Sequence, residues 1–250
     1  MSVNSAAANS GGARDGPVDA MTPILLIPGL ICTAELFAPQ LPALWTHGPV
    51  TVASTLEGET MAHMAAAVLR DAPPRFALGG LSMGGYVALE ILRQAPDRVV
   101  RLALMDTTAR PDAPEQSRLR RAMIEKAVSG GYDDVLAQTI PNLVHPSRRD
   151  DAELIGTQTR MGRSVGVEGF VRQQTAIMNR IDSRPFLSAI AAPTLALVGD
   201  KDALTPPDRA QEMTDAIPDA RLVVVPECGH ISTLERPEAV NAALVQWLSA

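Results

Sequence analysis

Three short motifs in the sequence carry a serine, an aspartate and a histidine that together could catalyse acyl transfer. They are residues 80–85 (GLSMGG), residues 199–202 (GDKD) and residues 228–230 (CGH). A serine hydroxyl is a weak nucleophile, so it needs a neighbouring base, and that base needs a third group to orient it. The three motifs supply at least one residue of each kind, and the second motif carries two aspartates.

Ser82 lies in a G-x-S-x-G pattern between a predicted strand at 76–80 and a predicted helix at 83–94. A serine on such a sharp strand-to-helix turn has a strained backbone, and Gly80 and Gly84 lack the Cβ atoms that would block the turn. The N-terminus of the helix also favours negative charge at this point. We therefore predict that Ser82 is the nucleophile.

His230 is the histidine best placed to act as the base. It follows a predicted strand at 222–225 and therefore lies beyond the carboxyl end of that strand. His47 is expected in a loop and His63 on a helix, both as ordinary core or surface side chains. His145 is expected to be exposed, with contact to substrate as the alternative.

Three aspartates are candidates for the acid that orients His230. Asp200 and Asp202 come directly after one predicted strand, and Asp106 comes directly after another. We favour Asp202, because it lies two residues further beyond the strand end, toward a neighbouring loop. Asp200 is expected to cap the turn through its own backbone, which is the commoner role of an aspartate there.

Six apolar segments alternate with helical patterns along the chain. The predicted strands are 24–28, 50–54, 76–80, 99–105, 194–198 and 222–225. The predicted helices between them are 35–44, 60–69, 83–94, 207–216 and 237–248. Continuous apolar strands separated by helices predict an α/β fold, with a mostly parallel sheet of about six strands and helices on both faces. Ligands of such sheets bind beyond the carboxyl ends of the strands.

Residues 110–192 interrupt this alternation with helical patterns near 115–129, 133–138, 149–161 and 168–179. Because a long segment between two strands of one sheet rarely lacks a role, we predict a helical lid inserted over the strand ends. The alternative is extra helices on the sheet. With residues 110–192 assigned to the lid, the core is 22–109 and 193–250. Residues 1–21 are mostly small and polar and lack an apolar stretch, so they are predicted to be a disordered tail.

The composition excludes several classes of protein. The 250 residues include 22 Lys and Arg against 28 Asp and Glu, a net charge of −6, so a nucleic-acid partner is not expected. No run of about 18 apolar residues would span a membrane. Cys32 and Cys228 lack the spacing of a metal site, and both are predicted to be reduced thiols. We expect a cytoplasmic protein with a small-molecule partner, no metal and no cofactor; the oligomeric state stays open.

Together the three motifs resemble the α/β-hydrolase superfamily, and the resemblance runs from about residue 22 to the C-terminus. Within it the sequence is similar to compact lidded esterases and enol-lactonases, of the 3-oxoadipate enol-lactonase and pimeloyl-carrier-protein methyl ester esterase types. The chain order Ser82, Asp202, His230 is the one expected for this fold. The resemblance implies an oxyanion hole formed by the backbone N–H groups of Leu30 and Met83.

The activity implied is hydrolysis of a small carboxylic ester or lactone through an acyl-enzyme on Ser82. A C–C bond hydrolase or a perhydrolase with the same triad is one alternative. A catalytically silent small-molecule binding protein with this fold is another. Serine, rather than aspartate, at position 82 disfavours dehalogenase and epoxide hydrolase chemistry.

Specificity is expected to reside in the lid and in the loop after the first strand. The residues predicted to line the substrate site are Ile31, Met161, Gln174 and Met178. Arg163 or Arg180 would pair with a substrate carboxylate if its side chain pointed inward. The favoured alternative is an ordinary salt bridge, for instance with Asp182.

Overall fold

The computed structural model describes residues 22–249, so the predicted tail at 1–21 lies outside the described residues. One sheet is formed by β1 (Ile24–Ile27), β2 (Val50–Val52), β3 (Phe76–Leu81), β4 (Val99–Met105), β5 (Thr194–Gly199) and β6 (Ala220–Val225). The strand order is β2-β1-β3-β4-β5-β6, and every neighbouring pair is parallel. The predicted fold class and the predicted number of strands are confirmed.

Helices connect the strands. In chain order they are α1 (Leu41–Leu44), α2 (Met61–Asp71), α3 (Met83–Gln94), α4 (Pro114–Lys126), α5 (Tyr132–Thr139), α6 (Ala152–Met178), α7 (Pro207–Ala216), α8 (Ser232–Glu235) and α9 (Pro237–Ser249). The helix predicted at 35–44 is instead a 3-10 segment, Ala34–Gln40, followed by the single turn α1. Pro39 and Pro42 explain the difference, because proline has no backbone N–H and breaks a longer α-helix.

The sheet is covered on both faces because strand side chains alternate in direction. Leu25 and Ile27 of β1 pack on one face with apolar residues of α2 and α3. Ile24 and Leu26 pack on the opposite face with apolar residues of α1 and α9. These clusters fix the strands, and the parallel pairing brings the carboxyl ends of β1, β3, β5 and β6 to the same edge of the sheet.

The insertion, residues 110–192 between β4 and β5, contains α4, α5 and α6. The two helices predicted at 149–161 and 168–179 are one segment, α6, broken at Gly166, where the backbone has a positive φ of 70°. Apolar residues of the insertion, among them Tyr132, Leu136 and Phe170, form a cluster that includes Ile31 from the loop after β1. The insertion therefore packs over the carboxyl end of the sheet.

Between residues 22 and 249, no helix is both long enough and apolar enough to cross a bilayer.

Candidate active site

Ser82 sits at the turn from β3 into α3 in a strained conformation, with φ 55° and ψ −116°. A Cβ atom on Gly80 would overlap the carbonyl of Gly84, and one on Gly84 would overlap the carbonyl of Ile27. The carbonyl of Ser82 accepts a hydrogen bond of 2.7 Å from the hydroxyl of Thr107. The turn is thus held by close packing that only glycine permits at these two positions.

The imidazole of His230 lies between Ser82 and Asp202. Its Nε2 atom is 2.8 Å from the Oγ atom of Ser82, and its Nδ1 atom is 2.8 Å from an oxygen of Asp202. His230 follows β6, and its backbone N–H donates to the carbonyl of Leu143 in the insertion over 2.7 Å. Three residues that are far apart in sequence form one hydrogen-bonded row at the strand ends.

The loop after β5 holds the carboxylate of Asp202 in place. One oxygen accepts from the amides of Leu204 and Thr205, and the other accepts from the Thr205 hydroxyl at 2.8 Å. Burial opposes ionisation of this carboxyl, but His230 and the hydrogen bonds from Thr205 outweigh it and lower the pKa of Asp202. Burial likewise disfavours the charged form of His230, yet the charge of Asp202 prevails and raises the pKa of His230.

Asp106 and Asp200 occupy other environments. Asp106 is fully buried and accepts hydrogen bonds from the amide of Gly199 and the hydroxyl of Ser232. Burial, with the nearby charge of Asp202 as a second cause, raises the pKa of Asp106 to about 8. Asp200 accepts from the amide of Cys228, in the loop that leads to His230. Burial opposes ionisation of Asp200 too, but such backbone hydrogen bonds lower its pKa.

The loop after β1 closely approaches the turn that bears Ser82. An added Cβ atom on Gly29 would lie 3.3 Å from the carbonyl oxygen of Leu81, a tight contact, and 3.4 Å from the Cβ of Ser82. The next residue, Leu30, lines a cavity beside Ser82. Met83 is the first residue of α3, and the first amides of a helix have no carbonyl one turn earlier to bond to. Both predicted oxyanion residues therefore flank the serine.

Gln173 of α6 braces the loop after β1. Its side-chain oxygen accepts from the amide of Ile31 at 2.9 Å, and its side-chain nitrogen donates to the hydroxyl of Thr55 at 2.9 Å. Ile31 has a positive φ of 56°, which a β-branched residue rarely adopts. Gln173 is buried, so these bonds link the insertion to the loop after β1 through Ile31 and to the loop after β2 through Thr55.

A cavity of about 600 Å³ opens above Ser82 and His230, between the core and the insertion. Its apolar lining includes Leu30, Ile31, Leu119, Val135, Leu136 and Phe170. Of the four residues predicted to line the substrate site, Ile31 and Gln174 do so.

Met161 and Met178 do not line this cavity. On α6 the lining residues are Phe170, Gln174 and Ile177, which share one helix face at spacings of three and four. Met178 is one residue further, about 100° around the helix, and lies off that face. Met161 precedes the break in α6 and packs in the core beneath, 1% exposed. The predicted lining was wrong at these two positions.

The two arginines considered as anion ligands have different environments. Arg163 is exposed and pairs with Asp133 at 2.9 Å. Arg180 lines the cavity and pairs with Asp112 at 2.6 Å, not with Asp182, which pairs with Arg184 instead. The suggested partner of Arg180 was therefore wrong.

Three residues around Arg180, namely Asp112, Arg120 and Tyr86, were missed by sequence reasoning. Asp112 also accepts from Arg120 of α4 at 2.7 Å, and the guanidinium of Arg180 lies 4.3 Å from the ring centroid of Tyr86 in α3. Nothing in the local sequence indicates these contacts, because they join the two ends of the insertion to the core.

The remaining histidines and cysteines lie outside the hydrogen-bonded row. His63 is exposed, and His47 and His145 are partly exposed; none of the three lines the cavity. Cys32 and Cys228 are buried free thiols, and burial raises the pKa of Cys32 to about 12. Within the described residues, no three His, Cys, Asp or Glu side chains come together as a metal site.

Residues 22–243 match the alpha/beta hydrolase family. The chain belongs to the α/β hydrolase family.

Relatives within this family have several activities. The chain is 29% identical over 247 residues to a pimeloyl-[acyl-carrier protein] methyl ester esterase from Neisseria meningitidis, covering 92% of this chain and 94% of the relative. It is 30% identical over 182 residues to a putative non-heme bromoperoxidase, BpoC, from Mycobacterium tuberculosis, covering 68% and 67% of the two chains. These relatives carry the names of enzymes, and the α/β hydrolase is an enzyme of the same family.

Solved structures agree with the α/β hydrolase fold. A thermophilic esterase from Thermogutta terrifontis superposes with a TM-score of 0.83 at 32% identity, covering 92% of this chain and 91% of that one. An enol-lactonase from Burkholderia xenovorans LB400 superposes with a TM-score of 0.83 at 26% identity, covering 96% and 94%.

Proposed function

We propose that this α/β hydrolase is a serine hydrolase that cleaves a small carboxylic ester or lactone through an acyl-enzyme on Ser82. The observation that carries the proposal is the 2.8 Å contact between the Oγ atom of Ser82 and Nε2 of His230, at the floor of the cavity. A nucleophile and its base must lie within this range before proton transfer can occur.

In the first step Ser82 Oγ attacks the substrate carbonyl carbon while its proton moves to Nε2 of His230. Asp202 holds the imidazole through Nδ1 and stabilises the imidazolium that forms. The tetrahedral intermediate then expels the alcohol, which takes the proton from His230. Water then attacks the carbonyl carbon of the acyl-enzyme while His230 takes a proton from it. The second tetrahedral intermediate releases the acid, and His230 returns the proton to the Oγ atom of Ser82.

The negative charge on the tetrahedral intermediate needs donors already in place. We assign these to the backbone N–H groups of Leu30 and Met83, since Leu30 lies beside Ser82 and Met83 begins α3. Such donors are each worth roughly 3–4 kcal/mol of transition-state stabilisation. The hydrogen bond from the amide of Ile31 to Gln173 supports this assignment, because it fixes the backbone next to Leu30, and the bond of Gln173 to Thr55 holds the glutamine in place.

We assign the insertion, residues 110–192, the role of a lid. Support comes from the cavity, whose lower side contains Ser82 and His230 of the core and whose upper side contains Leu119, Leu136 and Phe170 of the insertion. A cover of this kind excludes water from the reacting groups and selects substrates by shape.

A fluorophosphonate probe tests the nucleophile directly. The intact protein should be labelled on Ser82, which peptide mass spectrometry identifies, and Ser82→Ala should abolish labelling and lower turnover of p-nitrophenyl acetate roughly 10⁴- to 10⁶-fold. An unlabelled native protein with no turnover would favour a silent binding protein. Because a C–C bond hydrolase or a perhydrolase would use the same three residues, a panel of esters, lactones and diketones separates these chemistries.

A further inference from the structure

The charged residues that line the cavity are all arginines. Among the described residues at the cavity surface, the lining includes no aspartate or glutamate, and its charged members are Arg110, Arg120, Arg180 and Arg209. Arg110 is neutralised by Glu212 at 2.9 Å, and Arg209 lies 3.2 Å from Asp208. Glu212 also lies 3.9 Å from Arg184, but Arg184 has Asp182 as a nearer partner at 2.6 Å. Of the cavity arginines, the other two therefore depend on a single carboxylate.

Arg120 and Arg180 both pair with Asp112, whose side chain is 1% exposed. Two guanidinium groups against one carboxylate leave one positive charge in excess. The side chain of Arg180 is 6% exposed and that of Arg120 is 18% exposed, so water screens this charge poorly. A charge with little solvent around it interacts strongly with any counter-ion that reaches it.

The two guanidinium groups also have unused donors. Arg120 donates from Nε to Asp112 and from Nη1 to Gln174, and Arg180 donates from Nε and Nη1 only. In the described part of the chain, neither Nη2 group donates a hydrogen bond. Both residues line the cavity, and neither Nη2 atom is among the buried polar atoms of the described residues that lack a partner, so these groups can donate to an acceptor that enters the cavity.

We propose that Arg120, supported by Arg180, binds an anionic group of the substrate, so that the preferred substrate is an ester or lactone that also bears a carboxylate. This inference rests on the proposed function. The end of the Arg120 guanidinium, with both Nη2 hydrogens and one Nη1 hydrogen free, matches the oxygens of a carboxylate. Asp112 and Gln174 hold that guanidinium through Nε and Nη1, and the contact of Arg180 with the ring of Tyr86 anchors the pair to the core.

Paired substrates test the proposal. One set compares ethyl hemiesters of succinic, glutaric and adipic acid with ethyl esters of monocarboxylic acids of the same chain length. A second set places the carboxylate on the alcohol side, comparing O-acetyl glycolate and O-acetyl 3-hydroxypropionate with ethyl and propyl acetate. In Arg120→Met, the ratio of kcat/KM for the anionic member to that for the neutral member should fall about 10- to 100-fold in at least one set.

Arg118→Met is the matched control, because Arg118 lies on the same helix, pairs with Glu115 and does not line the cavity. It removes the same charge and should leave both ratios within about twofold of the native protein, as expected of an exposed charge. Arg120→Lys should recover part of the ratio. Arg120 is chosen over Arg180 because Asp112 keeps the Arg180 partner when Arg120 is replaced. The proposal is overturned if Arg120→Met and Arg118→Met have the same ratio of kcat/KM, anionic over neutral substrate, in both substrate sets.

A binding measurement separates failure of this inference from failure of the proposed function. If the fluorophosphonate leaves Ser82 unlabelled and no ester is cleaved, the proposed function has failed, and glutarate then tests the anion site alone. Glutarate should raise the Tm of the native protein and of Arg118→Met, while glutaramide should not. A shift of the same size in Arg120→Met, or no shift in any of the three proteins, rejects the anion site in that case.

Discussion

The carboxylate of Glu235 accepts a hydrogen bond of 2.9 Å from the backbone amide of Gly229, the residue before His230. Its second oxygen accepts from the amide of His145 in the insertion at 2.8 Å. One buried side chain therefore joins the loop that carries His230 to the segment that passes over it. Burial raises the pKa of Glu235, while these two amides act in the opposite direction.

Replacement of Glu235 by alanine should destabilise the protein, because the buried amides of Gly229 and His145 would lose their acceptor. The free energy of unfolding should fall by about 1–3 kcal/mol for each amide left unpaired, and turnover should fall with it. Urea unfolding measures the first effect and hydrolysis of p-nitrophenyl acetate the second. The control is Glu168→Ala, whose side chain is 91% exposed and should change stability by less than about 0.5 kcal/mol. Equal stability of the two variants would contradict this role of Glu235.

The pH dependence of hydrolysis should follow His230. The imidazole must be neutral to accept the proton of Ser82, and Asp202 raises the pKa of His230 above its usual value of about 6.5. kcat/KM should therefore decrease as the pH falls, with its midpoint above 6.5 rather than below. A pH profile from 5 to 9 measures the midpoint. A profile that is flat across this range would show that no group of this kind limits the reaction.

Asp202 and Asp106 should respond differently to the same isosteric change. Asp202→Asn removes the acceptor of the His230 ring, so kcat should fall about 10⁴-fold. Asp106→Asn keeps one oxygen for the amide of Gly199, and Asp106 makes no hydrogen bond to the imidazole of His230. The kcat of this variant should therefore stay within about tenfold of the native value, the equivalent of one lost hydrogen bond. Steady-state kinetics of the two folded variants decide between the aspartates, and the reverse order of effects would make Asp106 the orienting acid.

Asp106 should also make the stability of the native protein depend on pH. Its pKa of about 8 in the folded state is far above the value near 4 of an unfolded aspartate. The folded protein therefore holds a proton that the unfolded chain has released, and this contribution is present below pH 4 and lost as the pH rises to 8. Relative to Asp106→Asn, the native protein should lose stability over that range in urea unfolding. A constant difference between the two proteins would contradict the raised pKa.

The sequence predicted best those features that depend on neighbouring residues. The α/β fold and its parallel sheet follow from apolar runs and their alternation with helices, and both are confirmed. The G-x-S-x-G turn is equally local, since Gly80 and Gly84 act within four residues of Ser82. Asp202 and His230 could be singled out because each closely follows a strand, and parallel strands bring such positions to one edge.

Features that depend on contacts between distant segments were not predictable in this way. Arg180 has an aspartate two residues away, yet its partner is Asp112, 68 positions earlier in the chain. Met161 and Met178 have the right character for a pocket, but the break at Gly166 and the rotation of α6 turn other residues toward the cavity. Side-chain direction across a long insertion depends on tertiary packing, which no local pattern encodes.

Two glycine-to-alanine changes should have opposite effects on stability. At Gly84 the new Cβ atom would overlap the backbone carbonyl of Ile27, which cannot move without displacing β1. At Gly156, inside α6, it would meet only the end of the Arg160 side chain at 3.8 Å. Gly84→Ala should therefore cost several kcal/mol or prevent folding, whereas Gly156→Ala should stabilise the helix by about 0.5–1 kcal/mol.

Thermal and urea unfolding of both glycine variants measure this difference. Soluble expression of Gly84→Ala with a Tm near that of the native protein would show that β3 and α3 can separate from β1 without loss of the fold. In that case fluorophosphonate labelling should still be slower, because the added Cβ atom would displace the turn that holds Ser82 2.8 Å from His230. Native stability together with a native labelling rate would contradict the close-packed account of the turn.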